Sequence, residues 1–263
     1  MKYIPSCKEE AEMIANYDPS KYKNPAIAVD AAIFAYDKEI KKLKLLLIER
    51  GGFPYRGCYA LPGGFCDVGE HIHEAVKREV LEETGLKDIY MELYYCLGAP
   101  DRDPRYHVVT PEYIALTDIA KVKPKAGDDA AKAEWFTVMR FDTQKSEKKN
   151  EKGERVVTLR HEILLSGSTE LKTVTTEKIT YSDIKKTEVE ITDTAGMAFD
   201  HSKAVFYALR HLKNRLQTSD IAYNVFSGRF KEEELKAFYG AAFAEYGEVP
   251  GLAKNGEYCA FED

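Results

Sequence analysis

Gly64 is followed after five residues by Glu70, and after seven more by Arg78-Glu79-Val80-Leu81-Glu82-Glu83-Thr84-Gly85-Leu86. The pattern dictates a loop that feeds a helix. Ile72, Ala75, Val76, Val80 and Leu81 recur at helical spacing, so the helix is predicted over Ile72 to Thr84 with its apolar stripe against a sheet. Gly85 stands where a left-handed C-cap is wanted. Glu79, Glu82 and Glu83 project from one side of that helix, and unpaired they cost roughly 0.2–0.5 kcal/mol per pair. A cation among them reverses the sign.

Octahedral Mg²⁺ keeps several waters and takes one or two carboxylates plus phosphate oxygens, which suits an open carboxylate rim. Such ions neutralise a pyrophosphate and lower the pKa of a water that attacks phosphorus. Glycines at 63, 64 and 69 let the loop backbone approach the ions. The net charge of −6 gives no global positive field for nucleic acid or an anionic membrane, so a nucleotide would need local arginines and a metal. No apolar run approaches a membrane span, and the start lacks a signal-peptide core. The five cysteines are scattered and never spaced Cys-x-x-Cys, which suits free thiols in a cytoplasmic protein.

Residues 6 to 16 read as a short amphipathic helix on a serine cap. Strand patterns follow at Ala26 to Ala35, Leu43 to Ile48, Tyr59 to Leu61, Ile89 to Leu97, Val108 to Leu116 and Ala133 to Val138. Sheet, helix and sheet with short connections indicate a mixed α/β sandwich. Gln144 to Glu154 is charged and of low complexity, and reads as a mobile hairpin tip or linker. Val156 to Ser166, Leu171 to Tyr181 and Thr187 to Thr192 read as added antiparallel strands. Asp200 to Leu216 and Lys231 to Tyr246 read as helices, with a domain boundary near residue 196.

The box from Gly64 to Leu86 resembles the Nudix hydrolase signature at every constrained position. That resemblance implies an α/β/α sandwich, here with inserted antiparallel strands over about 143–195 inside a 25–196 domain. It implies Glu79, Glu82 and Glu83 as ligands of Mg²⁺, with Mn²⁺ a possible substitute, and the Gly63 carbonyl as a further ligand. Glu70 and Arg78 would be a structural ion pair, and Gly64 and Gly85 structural positions. The catalytic base varies within the family. Glu79, with Glu82 beside it, is one candidate; Asp128 and Asp129 on a later loop are others, although an acidic turn is often turn chemistry.

Arg50, Arg56, Arg102 and Arg105 lie near the box and suit phosphate oxygens, or else form loop salt bridges. Tyr59 to Phe65 and Gly98 to Arg105 look like the ADP-ribose pyrophosphatase-like branch of the family. Phe53, Tyr55 or Tyr106 could stack on adenine or pack at the rim. His71 and His73 could ligate metal or sit at the surface, and Cys66 is a reactive thiol or a filler.

Ala198-Phe199-Asp200-His201, the helix after it, and Ile221 to Leu235 resemble the winged-helix part of Nudix-related regulators. The small domain at 197–263 is therefore expected to be mainly helical, and residues 1–24 an N-terminal extension. From Asp200 onward there are eight Lys or Arg against ten Asp or Glu, a balance poorly suited to DNA. The expectation is a Mg²⁺-dependent hydrolase, a homodimer, splitting the pyrophosphate of a nucleoside diphosphate such as ADP-ribose. The rival is a regulator that senses the same ligand.

Overall fold

The computed structural model describes residues 4–119, 130–226, 229–247, 249, 252–255 and 258–261. At its centre is β1 (Ala26–Asp37). Val29, Ala31 and Ile33 face one apolar cluster, while Ala32, Phe34 and Tyr36 face a second. Burial on both sides is what makes the strand's sequence almost continuously apolar.

β1 pairs in parallel with β6 (Val108–Asp118) and antiparallel with β2 (Lys42–Arg50). β3 (Tyr59–Ala60) adds to β2, and β4 (Gly63–Phe65) adds to β1. β5 (Tyr90–Leu97) closes one edge. Beyond β2 come β7 (Ala130–Lys149), β8 (Arg155–Ser166), β9 (Glu170–Tyr181) and β10 (Lys185–Asp193), giving the order β10-β9-β8-β7-β2-β1-β6-β5.

One helix covers each face. α2 (Ile72–Thr84) sets Ala75, Val76 and Val80 against the Val29 side of β1. It ends at Gly85, whose φ of +72° frees its N–H to bond the Leu81 carbonyl at 2.9 Å. α3 (His201–Thr218) lays Phe206, Leu209 and Leu212 on the Phe34 side.

The boundary expected near residue 196 does not separate two cores. Phe226, Leu235 and Phe238 belong to the same apolar cluster as Phe34, Leu45 and Phe206. Tyr36 meets Phe238 at 5.3 Å and Phe226 at 6.0 Å between ring centroids. The C-terminal part is also not simply helical: α4 (Glu232–Ala241) is flanked by β11 (Phe230–Lys231), β12 (Leu252–Asn255) and β13 (Tyr258–Phe261), in the order β11-β13-β12. The helix expected to reach Tyr246 stops at Ala241. There Phe243 turns to φ +58° and the Ala244 N–H reaches back to Tyr239 at 2.9 Å.

Gln144 to Glu154 is a second departure. After a register shift between Val138 and Arg140, β7 runs to Lys149 in continuous pairing with β8, and the turn is confined to 150–154. Asn150 Oδ1 accepts the N–H groups of Lys152 and Glu154. The charges that resemble a linker lie along an exposed hairpin, where Arg155 grips Glu147 at 2.8 and 2.9 Å. In the first helix, α1 (Lys8–Ala15), Cys7 rather than a serine holds the N-cap position and makes no side-chain capping bond, while the Ser6 hydroxyl donates to Glu10. α1 buries none of its residues.

Candidate functional site

A cleft of about 380 Å³ opens where β1, β4, α2, the loop after β5 and the segment entering α3 meet. The box supplies one wall. Arg78 holds Glu70 through two bonds of 3.0 and 2.9 Å and donates to the Phe65 carbonyl at 3.0 Å, tying the loop to α2. Its remaining nitrogen meets Glu79 at 2.7 Å and Glu82 at 3.3 Å. Gly64 is required by close approach, since a Cβ there would lie 2.6 Å from the Glu79 carboxylate. The Gly63 N–H donates to Glu83 at 2.8 Å.

Glu79 and Glu83 line the cleft, whereas the Glu82 side chain is 57% exposed outside it. Burial pushes both cleft carboxyls up, opposed at Glu79 by Arg78 and at Glu83 by the Gly63 N–H; Glu83 reaches about 8. Among the described residues no three carboxylate, imidazole or thiol side chains converge as a ready-made metal cage. Mg²⁺ needs fewer, because waters and phosphate oxygens fill most of its shell. A buried carboxylate, Glu83, and a partly buried one, Glu79, on one wall of the cleft fit that requirement. Asp128 and Asp129 lie outside the described residues.

The arginines divide. Arg50 and Arg105 line the cleft: Arg50 Nε donates to the Pro54 carbonyl at 3.0 Å, and Arg105 pairs with Asp103 at 3.0 and 2.7 Å. Arg102 also lines it but is committed to the wall, with a 6% exposed side chain and bonds of 3.0 and 2.6 Å to Asp200. Arg56 lies outside the cleft, its guanidinium 6.0 Å from the ring of Phe53. Phe53 is at the mouth, Tyr55 packs on Phe199 at 4.6 Å, and Tyr106 turns away to bond the Asn24 carbonyl. His71 caps α2, its Nδ1 accepting the His73 N–H. All five cysteines are free thiols, and burial raises the pKa of Cys66.

Sequence reasoning missed the opposite wall. Phe199 and His201, read as part of a separate domain, return to the cleft. The Ala198 N–H bonds the Tyr59 carbonyl at 2.8 Å and the Leu61 N–H bonds His201 Nδ1 at 3.0 Å, stitching this segment to β3. Burial lowers His201 to about 4, so the ring is neutral, with its proton on Nε2 facing Asp30 at 3.9 Å.

Asp30 was missed as well, although a carboxylate in a strand buried on both faces is itself a signal. It neighbours Glu112 across the β1–β6 pairing. One guanidinium, Arg102, therefore faces Asp30, Glu112 and Asp200. Burial drives Asp30 up to about 7 and Glu112 well above the ordinary glutamate value, with Arg102 pulling against both.

The NUDIX domain family model matches residues 25–159. The chain is 42% identical over 142 residues to an ADP-ribose pyrophosphatase of Methanocaldococcus jannaschii, across 51% of this chain and 79% of that protein. It is 35% identical over 131 residues to an ADPR responsive transcriptional repressor of Acinetobacter baylyi, across 49% of this chain and 51% of that one, about half its length. The crystal structure of a MutT/nudix family protein from Enterococcus faecalis superposes with a TM-score of 0.72 at 25% identity, covering 98% of this chain and 94% of that one. A box held in this geometry, within a span matched by the family model, makes this chain a member of the NUDIX family.

Proposed function

We propose that the chain hydrolyses the pyrophosphate of ADP-ribose, adding water to one phosphorus and breaking the P–O–P bridge to give AMP and ribose 5-phosphate. The observation that carries this reading is one cleft holding the box carboxylates Glu79 and Glu83 opposite two arginines, in a chain 42% identical to an ADP-ribose pyrophosphatase. Glu79, Glu82, Glu83 and the Gly63 carbonyl would hold Mg²⁺, or Mn²⁺ in its place. The metal supplies charge neutralisation and an acidified water. Arg50 and Arg105 bind diphosphate oxygens, Arg78 keeps Glu79 and the loop in register, and the base is Glu79 or an acid of the 128–129 pair. A homodimer and a cytoplasmic site of action belong to the same proposal; among the described residues no helix is long and apolar enough to cross a membrane.

The test is turnover of ADP-ribose with Mg²⁺ or Mn²⁺ in the wild type, Glu82→Gln and Glu83→Gln. The variants should lose on the order of 100-fold or more. Tight ADP-ribose binding without turnover would instead favour a ligand-sensing regulator, the reading supported by the 35% identical repressor. Against that reading stand the acidic balance after Asp200 and the lack of a second helix between Ala241 and Leu252 among the described residues.

A further inference from the structure

Phe199 is a bulky residue held at φ +49°, a conformation that L side chains other than Asn or Asp seldom adopt. Its neighbours fix it there: Ala198 is bonded to β3, and Asp200 is gripped by Arg102. Backbone outliers over-determined in this way cluster at ligand sites. The ring is also the point where the cationic wall converges. The Arg50 guanidinium lies 5.0 Å from its centroid and that of Arg105 5.7 Å, while Arg105 is 5.4 Å from Phe65 on the box loop. Tyr55 braces Phe199 from the side at 4.6 Å. Phe199 lies outside residues 25–159, the span matched by the family model.

We infer that Phe199 is a substrate-positioning residue, contributed from beyond the family domain, whose ring aims Arg50 and Arg105 at the diphosphate of a nucleotide bound against Glu79 and Glu83. The inference rests on the hydrolase reading. An aromatic face orients a guanidinium without consuming its N–H donors, so those that Arg50 and Arg105 do not give to Pro54 and Asp103 stay available for phosphate oxygens. A ring on a strained backbone keeps that aim fixed before the substrate arrives, so its contribution is to binding rather than to the chemical step.

The experiment compares wild type, F199L, F199W and F199G in ADP-ribose hydrolysis with Mg²⁺, with thermal unfolding of each. F199L should raise KM about 5- to 30-fold, the effect of loosening two cation–π contacts. Its kcat should stay within about threefold of wild type. F199W should restore most of the KM. F199G relieves the backbone but removes the ring, so it should melt no lower than F199L while showing the same KM defect. A KM within twofold of wild type in F199L and F199G would overturn the inference, as would a loss confined to kcat or to stability. If the wild type itself turns over no ADP-ribose, the hydrolase reading fails, and the inference fails with it.

Discussion

Glu112 is fully buried on β6, and neither carboxylate oxygen meets a donor at hydrogen-bond geometry, the neighbouring Tyr94 hydroxyl donating to the Ala204 carbonyl instead. The nearest cation, Arg102, is 3.9 Å away and already holds Asp200 at 2.6 Å. The carboxyl therefore keeps a proton in the folded protein that the unfolded chain releases above about pH 4.5. A group whose folded pKa is raised in this way makes the folded state bind more protons, so stability falls as pH climbs from the unfolded value toward the folded one. Each pH unit in that window costs about 1.4 kcal/mol. Glu112→Gln keeps the shape and removes the titration. Urea unfolding at pH 5, 6, 7 and 8 should show the variant gaining on the wild type as pH rises above the unfolded value. A constant offset between the two curves, or a wild type that gains relative to the variant as pH rises, would refute the argument and mean that Arg102 keeps Glu112 ionised.

The other substitutions follow from the same geometry. Gly64→Ala should push the Glu79 carboxylate aside and cut turnover at least about tenfold while costing ~2 kcal/mol or less in chemical denaturation, because the clash falls on a side-chain end. Arg102→Met strands the Asp200 carboxylate beside the buried Asp30 and Glu112 and should destabilise by about 3–5 kcal/mol, partly recovered in Arg102→Met/Asp200→Asn; equal stability of the single and double variants would contradict the pairing. Glu82→Gln and Glu83→Gln should abolish metal-dependent turnover, and F199L should show the KM defect set out above.

Much of the sandwich was legible because its signals are local and periodic. Helix Ile72–Thr84 and its Gly85 cap are found where apolar spacing and one glycine put them. β8 and β9 begin within one residue of their Val/Thr/Ile patterns. What failed was composition used as a proxy for shape. Lys145, Glu147, Lys148 and Lys149 are charged because the hairpin is exposed, yet the strand continues through them. The far wall of the cleft was illegible for a different reason. Phe199 and His201 lie more than a hundred residues from the box, and the contacts that bring them back, Ala198 to Tyr59 and His201 to Leu61, are bonds to backbone that leave no pattern in side-chain type. Asp30 could have been found, since a lone acid in a doubly buried strand needs a partner.

The shared core has a consequence for how such a chain can be divided. The family match ends at residue 159, inside β8, while the face of β1 that carries Phe34 and Tyr36 is roofed by α3 and by rings from 226 and 238. Cutting at that line would leave a sheet with an open seam and an apolar face bare to water, not a smaller enzyme. Whatever history joined the two stretches, the cluster under α2 lies wholly within the matched span, but the one on the other face of β1 is built from both, and Phe199 and His201 from the last third of the chain line the cleft.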